Sequence, residues 1–277
     1  MSTTTSSTPT PGAAVPRTID VSGTAPVPFG RLVAVELRKS YDTRAGFWLL
    51  GTIAGLVVLA EGIATAVGIT QDNSPGLDFG AFVGVAAFVT AVLLPVLGIM
   101  LVTSEWGQRT AMVTFSLEPR RPRVVAAKYV VGLILTVATA LVAVAIGAVC
   151  NAFLGLGIGG ADWTFGWDYF VGFLIVQSLA MTSGFALATL LLSTPAAIVV
   201  FFAYSYVVPT ILALASAFLD WFEPISDYID FQRAQVPLRD LSISGGEQWG
   251  QLLVSAAVWL VVPLALGLRR ILRAEVK

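Results

Sequence analysis

The chemistry available to this chain is narrowed first by what it lacks. There is no histidine in 277 residues, which removes Ser-His-Asp and Cys-His nucleophilic catalysis, zinc-protease helices and imidazole-ligated haem together. The single cysteine, Cys150, lies in an apolar run, so neither an internal disulfide nor a thiolate metal cluster is available. Gly155, Gly157 and Gly160 formally satisfy G-x-G-x-x-G. That fingerprint works only where a strand enters and a helix N-terminus leaves toward a pyrophosphate. Here a long apolar run enters it, and a turn is the better reading. No G-x-x-x-x-G-K-[ST] phosphate loop occurs, so the chain has no such means of holding ATP. Glu61 is the one acid within an apolar stretch. A carboxylate in lipid is a functional candidate by default, but Glu61 falls toward one end of its run, where a position reaching interfacial water is favoured over a proton-coupling or substrate role.

What remains is a polar, basic segment at residues 103–128, TSEWGQRTAMVTFSLEPRRPRVVAAK. It carries Arg109, Arg120, Arg121, Arg123 and Lys128 against only Glu105 and Glu118. Pro119 and Pro122 terminate any helix begun after Ser104. A short helix followed by a basic re-entry into apolar sequence is the plain reading.

The elements that must position this segment are written in the composition. Hydrophobic residues make up 56% of the chain and charged residues 12%, with a mean hydropathy of +0.84; most of such a chain is solvated by lipid. A bilayer core needs about 20 apolar residues per helix, and six stretches meet this length, at 46–69, 79–102, 129–153, 169–192, 196–219 and 249–268. An all-α membrane protein with six transmembrane helices follows. The net charge of −1 conceals an asymmetry. Arg17, Arg31, Arg38, Lys39 and Arg44 precede the first span, the basic segment follows the second, and Arg269, Arg270, Arg273 and Lys277 follow the sixth. The alternate loops carry ten acids between Asp72 and Glu247 against only Arg233 and Arg239. Short cytoplasmic loops retain lysine and arginine, so both termini are expected in the cytoplasm. No basic domain exists to bind nucleic acid.

Residues 1–28, rich in Ser, Thr and Pro, read as a disordered cytoplasmic tail before a six-span domain at 29–277. At 29–44 Phe29, Leu32, Val33, Leu37 and Tyr41 share a helical face, as an amphipathic helix at the membrane interface requires. Glu36 interrupts that face, although it can pair with Lys39 three residues on. Between spans five and six, residues 220–248 include DWFEPISDYIDF, too apolar for a free loop, and short capping or re-entrant helices are expected. Pro95, Pro209 and Pro263 are candidate kinks in spans two, five and six.

The segment between spans two and three resembles the permease subunits of the ABC type 2 export family, in which an acid, a Gly-Thr-like turn, a Pro-x-x-Arg element and an Ala-Lys lead into span three. Here these are Glu105, Gly107, Thr110, Pro119, Arg123, Ala127 and Lys128; Gln108 and Arg109 separate the usually adjacent Gly and Thr. Residues 36–44, with Glu36, Arg38 and Lys39, are similar to that family's entry helix. The resemblance implies a coupling helix near residues 104–117, formed with Glu105, Gly107, Arg109 and Thr110. Met112, Val113, Phe115 and Leu117 would be buried in a groove of a separate ATPase subunit. It implies a second permease subunit, identical or related, with ATP and Mg held by the ATPase and no cofactor bound by this chain. Arg120, Arg121, Arg123 and Lys128 have the further expected role of anchoring to anionic headgroups. An exporter of drug, peptide or lipid-like cargo in the cytoplasmic membrane is the implied function. A membrane scaffold or accessory subunit, or a stand-alone secondary transporter, shares the hydropathy.

Overall fold

A computed structural model describes residues 27–70, 77–108, 110–158 and 161–273. The disordered-tail reading of residues 1–28 falls almost wholly outside these residues, as do Arg109 and residues 159–160; the turn expected from Gly155 onward is instead helix through Ile158, because the apolar run of span three carries Gly155 and Gly157 with it. Among the described residues there are helices and no strands. Six of the helical stretches are long and apolar enough to cross a membrane: Arg44–Thr70, Phe79–Gly107, Arg121–Gly157, Trp167–Leu191, Thr194–Phe218 and Gly245–Arg273.

The first helix, α1 (Phe29–Asp42), is separate from the spans. Span one is α2 (Arg44–Thr70) and span two is α3 (Phe79–Gly107), which is longer than hydropathy alone indicated because it carries its polar end, with Glu105, as continuous helix. A separate two-turn helix, α4 (Ala111–Leu117), follows. The expected helix near residues 104–117 is therefore two elements, the first ending at Gly107 and the second starting at Ala111. Span three, α5 (Arg121–Ile158), starts at Arg121 rather than near residue 129. Pro122 sits in its first turn, where a missing N–H costs no intrahelical hydrogen bond. Pro119 marks the break from α4.

Span four is α6 (Trp167–Leu191). Spans five and six are each divided: α7 (Thr194–Phe202) and α8 (Val208–Phe218) flank a π-helical turn at Ala203–Val207, and α11 (Gly245–Ala256) and α12 (Val262–Arg273) flank one at Ala257–Val261. Both turns lie just before a Val-Val-Pro, at Pro209 and Pro263. Proline cannot donate to the fourth carbonyl behind it and its ring crowds that carbonyl; widening the preceding turn relieves both. The Val208 and Val262 N–H groups accordingly reach five residues back, to the Ala203 and Ala257 carbonyls. The two widened turns meet through Tyr204 and Trp259, whose rings lie 4.6 Å apart.

Spans two and four are the central pair. Gly98 and Gly184 bring their backbones together: a Cβ on Gly184 would lie 2.1 Å from the Pro95 carbonyl oxygen, and one on Gly98 would lie 2.5 Å from that of Met181. Small residues at crossings allow such approach in membrane bundles. Leu94, Ile99, Met181 and Phe185 fill the core beside them. Between spans five and six the expected short helices are present as α9 (Glu223–Ile229), α10 (Phe231–Ala234) and a 3₁₀ turn at Val236–Leu238. Phe231 and Leu238 are buried there, and Trp259 Nε1–H donates to the Ile229 carbonyl at 2.8 Å. This segment is a packed cap.

One expectation fails. Glu61 does not reach water: its exposure is 0%, because α3 and α5 close over it. Position along a helix indicates depth, whereas the neighbouring helices decide access.

Candidate coupling site

The basic end of the bundle collects α1, the end of α3, α4 and the start of α5. Glu36 is where they meet. On α1 the side turned inward is centred on Glu36, 2% exposed, with Val33 and Leu37 packed beside it. Phe29, Val35 and Tyr41 remain exposed at 39–50%. The acid that interrupts the apolar stripe is thus the residue that faces the protein.

Glu36 accepts from two lysines, Lys39 Nζ on Oε1 at 2.7 Å and Lys128 Nζ on Oε2 at 2.7 Å. Glu105, from the polar end of α3, faces the same two lysines, at 2.9 Å from Lys39 and 3.3 Å from Lys128. Two carboxylates and two ammoniums alternate around a closed ring of net charge zero. Thr114 of α4 adds a hydroxyl, which donates to Glu105 Oε1 at 3.0 Å. Charges removed from water are tolerated when paired and hydrogen-bonded on all sides. Burial pulls the Lys39 ammonium toward its neutral form, but hydrogen bonds and attraction from Glu36 and Glu105 outweigh it and leave its pKa raised. The ring joins four helices at one point.

Thr110 closes the link from α3 to α4 through its backbone. Its N–H donates to the Glu105 carbonyl at 2.9 Å, and its own carbonyl accepts from Val113 and Thr114. Gly107 is exposed and a Cβ there would meet nothing within 4 Å, so packing does not demand glycine. On α4 the apolar residues divide. Met112, Val113 and Leu117 are exposed at 46%, 61% and 78%, whereas Phe115 turns inward, its ring 6.4 Å from that of Trp106 and beneath the Arg121 guanidinium at 5.1 Å. Three of the four expected contact residues therefore face outward and the fourth secures α4 to the bundle.

The basic residues separate in the same way. Arg38 is exposed beside Asp42, 2.9 Å away. Arg120 is exposed. Arg121 Nη1 donates to the Ile271 carbonyl at 2.7 Å, tying α5 to the last span. Arg123 donates to Glu118 at 2.9 Å and to the Val27 carbonyl at 2.7 Å. Lys128 is 6% exposed, buried in the ring rather than offered to a surface. Sequence spacing indicated only the Glu36–Lys39 contact; Thr114 carried no signal, and the partners of Lys128 lie 23 and 92 residues away.

Beside the ring opens a cavity of about 430 Å³, lined by Leu49, Leu50, Leu97 and Leu101, by the ring and Thr114, and by the inner edges of Val113 and Leu117. Among the described residues no group of three or more Cys, Asp or Glu could hold a metal ion.

No curated protein matches the chain. The sequence model of the ABC-2 family transporter protein matches residues 32–220, which run from α1 through the ring and α4 to the end of span five and leave most of the cap and span six outside. With more than half its length matched, and six apolar helices in the order found here, the chain belongs to the ABC-2 family of membrane transporter proteins.

Proposed function

We propose that this chain is the membrane-spanning permease of an ATP-driven exporter, working with a separate ATPase subunit that holds ATP and Mg. The observation that carries this reading is the construction of α4. A two-turn helix that presents Met112, Val113 and Leu117 outward, while Phe115, Arg121 and the Glu105–Thr114 bond hold it to the bundle, suits a lever. A few side chains seated in a partner's pockets carry most of an interface's energy. A push on α4 passes through Glu105 to α3 and through Lys39, Glu36 and Lys128 to α1 and α5, so that helices move as bodies.

In this reading α1, α4 and both termini lie in the cytoplasm, where the basic residues belong. The protein sits in the cytoplasmic membrane, a second permease subunit, identical or related, completes the pathway, and the cargo is drug-, peptide- or lipid-like. The mixed apolar and charged lining of the cavity beside the ring agrees with an amphipathic cargo.

The test is affinity purification of the tagged chain from its native setting in mild detergent, with and without Val113→Asp and Leu117→Asp. A stoichiometric subunit carrying a phosphate loop should accompany the native chain and be lost from both variants. Retention of that subunit by the two charged variants would remove α4 as the contact. Reproducible absence of any such subunit from the intact native protein would favour a scaffold or a stand-alone transporter.

A further inference from the structure

The seam between α2 and α5 holds a second buried carboxylate, built unlike the ring. Glu61 is 0% exposed, and neither of its oxygens has a hydrogen-bond donor. Thr65, one turn along α2, is committed elsewhere, since its hydroxyl donates to the Glu61 backbone carbonyl at 2.8 Å. α3 contributes Phe82 and α5 contributes Gly147, where a Cβ would meet Phe82 Cβ at 3.2 Å and Glu61 Oε1 at 3.4 Å; glycine leaves the carboxyl its space. The titratable neighbour from α5 is the Cys150 thiol, beside Thr65. Among the described residues no lysine or arginine forms an ion pair with Glu61.

One turn beyond Gly147, Asn151 is also 0% exposed. Its Nδ2 donates to the Asp162 carbonyl at 2.9 Å, and its Oδ1 has no donor. The seam thus contains three buried acceptor atoms that receive no hydrogen bond among the described residues. In a low-dielectric interior such a surplus is costly, and an ionised, unpaired carboxylate is the costliest member. The apolar groove between α2 and α5 stops short of Glu61: it reaches Val57 and Ala143, each four residues away from Glu61 or Gly147. A ligand that needs no cavity, neutralises the carboxylate and turns one acceptor into a donor is a proton.

The approach to this site comes from the acidic end of the bundle. Asn151 is bonded to the Asp162 backbone there, and the exposed Asp162 carboxyl is held below its ordinary range by hydrogen bonds from Thr164, which leaves a carboxylate at the mouth. Between mouth and site, Leu77 and Leu154 close over Gly68, where a Cβ would lie 2.9 and 2.7 Å from their methyl groups.

We propose that Glu61 is a proton-binding site within the membrane, loaded from the acidic end past Asn151 when the Leu77–Leu154 contact over Gly68 opens. The proton leaves a water-borne donor at the mouth and ends on a Glu61 oxygen, so formation of the closed seam is linked to proton binding. This holds whether or not the chain works with an ATPase.

Infrared difference spectra of the full chain in lipid membranes, native against Glu61→Gln, test it. A carboxylic-acid carbonyl band present in the native protein at neutral pH and lost in the variant is expected. That band should shift in heavy water, and Leu154→Ala should speed the shift severalfold. Should Glu61→Gln fail to fold, Glu61→Asp displaces the band instead of deleting it. A carboxylate band in place of the acid band overturns the proposal, since Glu61 would then be charged and paired with another cation. An exchange rate unchanged by Leu154→Ala overturns the loading route.

Discussion

Replacing Lys128 with methionine is the sharpest test of the ring at the basic end. The substitution keeps length and apolar stem but removes one of two ammoniums, leaving Glu36 and Glu105 to share Lys39. Glu36 Oε2, on a residue 2% exposed, loses its donor. Breaking a buried pair from one side costs about 3–5 kcal/mol, because the remaining charge stays uncompensated. The same change at Lys39, whose side chain is 43% exposed, lets water replace the lost ammonium, and about 1 kcal/mol is expected. At roughly 2–4 °C per kcal/mol for a protein of this size, Lys128→Met should lower the melting temperature in mild detergent by about 6–20 °C, and Lys39→Met by about 2–4 °C. Combining Lys128→Met with Glu36→Gln removes one charge of each sign and leaves Glu105 paired with Lys39, so the double variant should lose less than the sum of the singles. Equal losses for the two lysines, or strict additivity of Lys128→Met with Glu36→Gln, would refute the claim that the ring is a coupled buried unit.

Two further outcomes follow from the same contacts. Gly184→Ala places a methyl 2.1 Å from the Pro95 carbonyl oxygen and must part α3 from α6, at a cost of at least about 1–3 kcal/mol; Gly84→Ala on the same α3, with nothing within 4 Å, should be neutral or slightly stabilising, and folded yield in detergent compares them. Because the Lys39 pKa is raised on folding, its stabilisation is fully present below the ordinary lysine value and is lost as pH rises through the higher folded value. Melting temperature should therefore stay level from neutral to mildly alkaline pH and fall in strong alkali, with Lys39→Met lacking that component of the fall.

The six spans were legible because crossing a bilayer is a property of a short window of chain. About 20 apolar residues suffice whatever surrounds them, and the expected and observed helices differ mainly where polar ends extend α3 and α5. The packed cap was legible for a similar reason, since DWFEPISDYIDF is too apolar to leave in water. Local spacing also brought Glu36 to Lys39. It misjudged the amphipathic face of α1, where Glu36 read as a flaw in the stripe; an acid on an apolar face is a flaw only if nothing cationic waits opposite.

By itself, then, the sequence determined the all-helical membrane character, the number of spans, the exclusion of histidine chemistry and the segregation of basic from acidic loops, each of which depends on residue type and near neighbours alone. Only the tertiary structure decided that Lys128 lies in the ring, that Phe115 turns inward while Leu117 faces out, that prolines in spans five and six produce facing π turns joined by Tyr204 and Trp259, and that Glu61 is sealed from water. These depend on which helix lies opposite. Ion-pair partners 66 and 92 residues apart in the chain are chosen by helix packing, and burial of a carboxylate is a property of its neighbours rather than of its position along a span.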